Sequence, residues 1–277
     1  MTFSSEDLNE FKIKDNDLVC TTNFVKPVHV VMMSAIHSYS GRSATFSKSR
    51  SAEYAYNMFY HKPLDIDTID GLNHSKAIKL RNQFDDDSQV IKIMNIFEQN
   101  NYLDAETNDV LQIILAEIFQ NFYAHADYEQ PPICCVQDWK TSDFIEIAIA
   151  DKGIGINQSL KEVLKDYPES TNACRIACDN GISCSLNKES KIGTKHSGYG
   201  LYFTKRFIEE NEGGLYLFSK DSCYVNIPTG ESDVILPYQW VGTVIRLVIN
   251  KNKCVHSETF FKAISREQEG DSYDEFF

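Results

Sequence analysis

The clearest pattern in the chain is an apolar stripe with helical spacing between residues 106 and 126. Apolar side chains recur there three and four residues apart, as on one face of a helix: Val110, Ile113, Ile114, Ile118 and Phe122. The preceding segment, 88–100, shows the same kind of pattern. We therefore predict two successive helices over 88–100 and 106–126.

The second half of the chain favours strands. Four segments are rich in apolar or β-branched residues and predict strands: 132–136, 144–150, 215–219 and 242–249. A helix is predicted over 201–211. The region before it, 156–196, is rich in Lys, Ser, Asn and Gly and predicts a long loop rather than a packed element.

Residues 20–65 predict a separate small α/β unit. Pro27 suits a helix start, 44–46 is a short strand candidate, and 51–60 has the pattern of a second helix. The polar stretch 65–87 is the best linker candidate. The predicted organisation is a small α/β domain over 1–85, a second domain over 86–255 and an acidic C-terminal tail over 256–277.

Composition narrows the function classes. The chain has 277 residues, of which 42% are hydrophobic and 24% charged, as is normal for a globular protein. Its formal net charge of −13 disfavours nucleic acid and membrane surfaces, which are themselves polyanions. We find neither an apolar run of membrane-spanning length nor a signal-peptide pattern, so we predict a cytoplasmic protein.

Eight cysteines raise the question of a metal site. Cys174, Cys178 and Cys184 with His196 form one possible zinc-binding group, but their spacing does not match an established zinc pattern. We therefore favour free thiols that serve as small apolar side chains.

The long predicted helix carries three polar residues on one face. Glu117, Asn121 and His125 are spaced four apart, so they share a stripe on an otherwise apolar helix. One interpretation is a stripe that faces solvent. The other is functional: the amide oxygen of Asn121 binds a hard cation, and Glu117, one turn away, activates water.

Two glycine-containing segments flank the long loop. Asp151 follows a predicted strand and begins a DxGxG pattern with Gly153 and Gly155, which indicates a turn with close backbone approach. The segment 193–201 opens a predicted helix, and glycine-rich backbone at a helix N-terminus is typical of an anion site. Ordinary loops are the alternative for each segment taken alone.

The order of these segments resembles the N, G1, G2 and G3 boxes of the GHKL superfamily. The resemblance covers about 106–250 and includes Gly242-Thr243 at the head of the last strand. It implies an α+β fold, a two-layer α/β sandwich of GHKL ATPase type, in which a mixed, mostly antiparallel sheet carries helices on one face. The preceding small α/β domain is similar to the STAS-like segment of some bacterial stand-alone members.

The resemblance also implies a Mg²⁺–ATP site. Asn121 is similar to the Mg²⁺ ligand, and Asp151 to the carboxylate that accepts the adenine amino group. Thr243 is similar to the hydroxyl that supports the adenine-binding water and that carboxylate, and 157–195 corresponds to the lid over the nucleotide. The remaining candidate nucleotide contacts come from the two glycine-containing segments: Gly153, Gly155, Thr194, His196, Gly198, Tyr199, Gly200 and Leu201.

Three activities are compatible with this resemblance. The favoured one is slow, Mg²⁺-dependent ATP hydrolysis with Glu117 as base, which controls conformation or the binding of a protein partner or second copy. The alternatives are an anti-sigma-type serine kinase acting on a STAS-like partner and a nucleotide switch without hydrolysis. Relatives with a transducer domain use its lysine on the γ-phosphate; here either a local residue such as Lys195 or Lys205 substitutes, or turnover is slow.

Overall fold

The computed structural model describes residues 10–14, 17–68, 76–80, 88–98, 103–125, 130–139, 141–182 and 200–273. The helices in these ranges are α1 (Pro27–Tyr39), α2 (Ser49–Asn57), α3 (Ser88–Glu98), α4 (Ala105–His125), α5 (Ile156–Ser159), α6 (Ala173–Ile176), α7 (Gly200–Glu210) and α8 (Ser257–Tyr273). The strands are β1 (Phe11–Lys14), β2 (Asp17–Cys20), β3 (Ala44–Phe46), β4 (Leu64–Asp65), β5 (Ile78–Lys79), β6 (Ile133–Asp138), β7 (Phe144–Ala150), β8 (Gly214–Ile227) and β9 (Gly230–Asn250).

The strands form two mixed sheets. The smaller has the order β1-β2-β3, and the larger has the order β4-β5-β6-β7-β9-β8. In the larger sheet only β4 and β5 pair in parallel, whereas all other neighbours are antiparallel. The chain therefore has the predicted α+β class and a mixed, mostly antiparallel central sheet.

One face of the six-stranded sheet, which we call the helix side, packs against the helices of the second half. Alternate residues of β7 point there: Ile145, Ile147 and Ile149. They share a core with apolar residues of α3, α4, α7 and α8. Of the apolar stripe on α4, Val110, Ile114, Ile118 and Phe122 are buried, whereas Ile113 is 41% exposed.

The opposite face, the α1 side, is also covered. Ala148 and Ala150 of β7 point there and share a second core with α1. Residues 27–36 of α1 are all buried, and α1 contacts both sheets. A helix that is buried all round must be enclosed by other elements. The helices of the predicted second domain lie on one face of the sheet, and α1, from the predicted first domain, adds a layer on the other.

The first and last segments of the chain are joined to this framework. β4 and β5, which fall in or next to the predicted linker 65–87, belong to the six-stranded sheet. The segment predicted as an acidic tail instead forms α8, because Phe260 and Ile264 are buried in the helix-side core. Among the described residues, no helix has the length and apolar character that crossing a membrane requires.

Candidate functional site

A row of polar residues continues an apolar row across the helix side of the sheet. In the apolar row, Leu217 of β8 lies opposite Ile245 of β9, which lies opposite Ile149 of β7. Because side chains alternate along a strand, the next residues of β9 and β7 on the same side are Thr243 and Asp151. Ser219 of β8 joins this polar row at a shift in the β8–β9 pairing, where its hydroxyl contacts Gly242. The amide of Asp151 donates to the carbonyl oxygen of Thr243 at 2.9 Å, so the β7–β9 pairing extends through these two residues.

The glycines beside Asp151 permit close approach of the backbone. Gly242 has φ +105°, and a Cβ there would overlap the carbonyl oxygen of Asp151 and lie 2.7 Å from its Oδ1. Gly155 has φ +75°, and a Cβ there would lie 2.5 Å from Oγ of Ser219. The amide of Gly153 donates to Oδ1 of Asp151, which orients the carboxylate. A larger residue at either positive-φ position would be both strained and too close to its neighbours.

Two residues that the sequence analysis missed hold this turn in place. Oγ of Ser219 accepts from the amide of Ile156 at 3.1 Å and donates to the carbonyl oxygen of Gly242 at 2.8 Å. The indole N–H of Trp240 donates to the carbonyl oxygen of Asp151 at 3.0 Å. No sequence motif marks the serine. Trp240 is one of only two tryptophans and lies two residues before Gly242, which is a weak signal.

Lys152 is part of this turn, but its side chain contacts Trp240, which belongs to the α1-side core. Its Nζ is 4.5 Å from the ring centroid of Trp240, a cation–π contact. Burial lowers the pKa of the Lys152 ammonium to about 8, the positive charge of Arg42 acts in the same direction, and Asp151 opposes both. Arg42, in the loop that follows α1, therefore places a positive charge near the DxGxG turn.

A second group of predicted residues meets where α4 and α7 touch. A Cβ on Gly200 would lie 3.0 Å from Nδ2 of Asn121 and 3.1 Å from Oε2 of Glu117. The first residue of α7 thus lies directly against the polar stripe of α4. Burial raises the pKa of the Glu117 carboxyl above its ordinary value. Leu201 packs on the helix-side core.

The two groups lie on the same side of the sheet. Asp151, Gly153, Gly155 and Thr243 surround the end of β7, and Glu117, Asn121 and Gly200 meet at the α4–α7 contact. Thr194, His196, Gly198 and Tyr199 lie outside the described residues, as do Lys195 and the side chain of His125. The ammonium of Lys205, which was a candidate for the γ-phosphate contact, forms an ion pair with Glu231 at 2.8 Å.

Other features of the described residues do not add to this site. Burial raises the pKa of the Cys174, Cys178 and Cys223 thiols, so they are protonated side chains of the interior. In the part of the chain that the structure describes, no group of three or more His, Cys, Asp or Glu residues could hold a metal ion. A surface cavity of about 330 Å³ lies between α7 and α8, lined by Arg206, Glu209, Glu210, Phe260, Ala263 and Ile264.

Comparison with known proteins does not assign the chain to a family. No protein-family model matches it, and no curated protein is significantly similar to it.

Proposed function

We propose that this chain binds ATP with Mg²⁺ through a GHKL-type site on the helix side of the sheet. The observation that carries the proposal is the backbone hydrogen bond that pairs Asp151 with Thr243, on the sheet face that is covered by α4, the helix of Glu117 and Asn121. A buried carboxylate at a strand end can accept a hydrogen bond from the amino group of adenine. The hydroxyl of a residue on the neighbouring strand can hydrogen-bond to that carboxylate, or to a water that bridges the carboxylate and the base.

The residues at the α4–α7 contact fit the phosphate end of a nucleotide. α7 begins at Gly200, so its first amide groups and the positive end of its dipole lie beside Asn121 and Glu117. The amide oxygen of Asn121 is a suitable ligand for a hard cation. Mg²⁺ commonly takes one or two protein ligands and completes its shell with phosphate oxygens and water, which matches a site with one such residue.

Glu117 is the residue that would make the protein an enzyme. A carboxyl group whose pKa is raised by burial is a better proton acceptor near neutral pH than an ordinary glutamate. We propose slow ATP hydrolysis with Glu117 as base, used to control conformation or the binding of a protein partner or second copy. The proposal includes a cytoplasmic location, which the need for ATP supports.

Calorimetric titration with ATP tests the binding proposal. Wild-type protein should bind ATP in the presence of Mg²⁺ and more weakly with EDTA. Asn121→Ala should lose the Mg²⁺ dependence, because its side chain supplies the proposed protein ligand. Glu106→Ala, on the exposed first turn of the same helix, is the control and should bind as wild type. If wild-type protein does not bind ATP with Mg²⁺, the proposal is wrong.

The fate of the γ-phosphate separates the three activities. With γ-labelled ATP, released phosphate that is lost in Glu117→Ala while ATP binding persists supports hydrolysis. Label on a STAS-like partner supports the serine kinase. Binding with neither product supports a switch. Hydrolysis at the wild-type rate in Glu117→Ala would exclude this residue as the base.

A further inference from the structure

A bulge in the β8–β9 hairpin brings Ser219 to the candidate site. The pairing shifts between Phe218–Val244 and Lys220–Trp240, so β9 contains more residues than β8 over this interval. The extra length of β9 contains Gly242, and Ser219 lies opposite it. Bulges of this kind re-aim side chains next to functional sites. The bulge thus places the hydroxyl of Ser219, a residue that is only 1% exposed, between two segments that are far apart in the sequence.

The Ser219 hydroxyl connects both sides of the DxGxG turn. It accepts from the amide of Ile156, which follows Gly155, and it donates to the carbonyl oxygen of Gly242, which precedes Thr243. A serine hydroxyl has one proton and two acceptor positions, so one side chain serves both bonds at once. The absence of a Cβ on Gly155 leaves the space that Ser219 Oγ occupies.

We propose that Ser219 is a positioning residue for adenine recognition. This inference rests on the proposed function. Asp151 is joined to Thr243 by a direct backbone hydrogen bond, and the Ser219 hydroxyl secures the other end of the turn by fixing Gly155–Ile156 relative to Gly242. The hydroxyl does not itself contact the nucleotide. Its removal leaves the Gly155 end of the turn unsecured, so the Asp151 carboxylate and the Thr243 hydroxyl present a less rigid edge to the base.

The predicted consequence is a loss of base selectivity as well as affinity. A site with hydrogen-bonding groups in fixed positions binds poorly any base whose donors and acceptors do not match them. This selectivity requires that the groups be held rigidly. In Ser219→Ala, ATP affinity should fall about tenfold, which corresponds to roughly one buried hydrogen bond. GTP affinity should fall much less, so the ratio of ATP to GTP affinity should decrease. A general loss of stability would lower both affinities together and leave their ratio unchanged.

Ser51 offers a matched control. Its residue is also buried, at 3% exposed, and its Oγ donates to the carbonyl oxygen of Thr22 at 2.8 Å in the α1-side layer. The experiment measures Kd for Mg²⁺–ATP and Mg²⁺–GTP, together with Tm, for wild type, Ser219→Ala and Ser51→Ala. Ser51→Ala should lower Tm to a similar extent and leave both Kd values unchanged. Ser219→Cys, which retains a weaker donor and acceptor, should recover part of the selectivity.

The outcomes separate this inference from the proposed function. A reduced ATP-to-GTP ratio in Ser219→Ala, with partial recovery in Ser219→Cys and none of the effect in Ser51→Ala, supports positioning. Wild-type selectivity in Ser219→Ala, or an equal effect in Ser51→Ala, overturns it while ATP binding stands. If wild-type protein does not bind ATP, both proposals fall. Should Ser219→Ala not fold, Ser219→Cys decides: unchanged selectivity overturns the inference.

Discussion

At the scale of single residues, the candidate site depends on positions where a side chain has no room. Gly155 and Gly242 both have positive φ, and both lie against atoms of the polar row or its backbone. Gly41 has a similar φ of +64° to the +75° of Gly155, but a Cβ there would meet nothing within 4 Å. An alanine at Gly41 or at Gly155 would therefore meet similar backbone strain, but only the alanine at Gly155 would also be crowded by neighbouring atoms.

This difference gives a stability prediction. Gly41→Ala should lower the free energy of unfolding by about 1 kcal/mol, the cost of a left-handed alanine. Gly155→Ala should lower it by about 3 kcal/mol, because overpacking against Ser219 adds to the same strain. Urea denaturation of both variants measures the two values. Equal losses would mean that the Gly155–Ser219 contact contributes nothing.

A second residue-scale prediction concerns Lys152 and pH. Its folded-state pKa of about 8 lies below that of an unfolded lysine, so the unfolded state binds more protons between these two values. Its contribution to the free energy of unfolding should therefore increase as pH rises from about 8 to about 10.4. Lys152→Met should be more stable than wild type at pH 7, with a gap that narrows over this window. A gap independent of pH would contradict the assignment.

At the scale of elements, a buried ion pair links β7 and β9 on the α1 side. Glu146 and Arg246 are 0% and 1% exposed in their side chains and 3.0 Å apart, and the Arg246 guanidinium lies 4.6 Å from the Tyr216 ring centroid. Removing one member of such a pair leaves a charge in the interior. Each of these two buried charges is tolerated because the opposite charge lies beside it.

The pair predicts a non-additive mutant cycle. Glu146→Leu should lower the free energy of unfolding by about 3 kcal/mol, because it strands the Arg246 charge. Adding Arg246→Met should restore a large part of that loss, since no unpaired charge then remains. Chemical denaturation of the two single variants and the double variant gives the coupling. Strictly additive losses would show that the two side chains do not interact.

The sequence predicted the elements better than their packing. Helix α4 and strand β7 follow from periodicity, the spacing of Glu117 and Asn121 indicated a polar stripe, and the resemblance to the GHKL boxes added Asp151 to the candidate site. Ser219 had no such signal, because its place depends on a shift in pairing between β8 and β9. The same holds for Phe260 in α8, because the acidic composition of this segment concealed a few apolar residues that pack in the helix-side core with α4.

At the scale of the whole molecule, the two predicted domains share a core. α1 packs on the six-stranded sheet through Ala148 and Ala150, and β4 and β5 lie in that sheet. Helical periodicity in α1 was visible in the sequence, but its burial on all sides was not, because this depends on which sheets enclose it. The described part of the first 85 residues thus forms a layer against the six-stranded sheet and supplies two of its strands.

A shared core predicts cooperative unfolding. Urea denaturation followed by tryptophan fluorescence and by far-ultraviolet circular dichroism should give one coincident transition, because the loss of either layer exposes the same core. Ala150→Leu should shift the midpoint of both signals together, since it overpacks the α1–β7 contact. Two separated transitions would indicate that the α1 layer unfolds as an independent domain.

Under the proposed function, Asp151 anchors the adenine of a bound nucleotide, and a comparison of ATP and GTP binding is a direct test of this role. Wild-type protein should bind Mg²⁺–ATP and strongly reject Mg²⁺–GTP. Asp151→Asn should lose about 10- to 100-fold in ATP affinity, because an amide presents donors where the adenine amino group needs an acceptor. GTP affinity should change little. Unchanged ATP affinity in Asp151→Asn, or a wild-type protein that binds both nucleotides equally, would contradict the account.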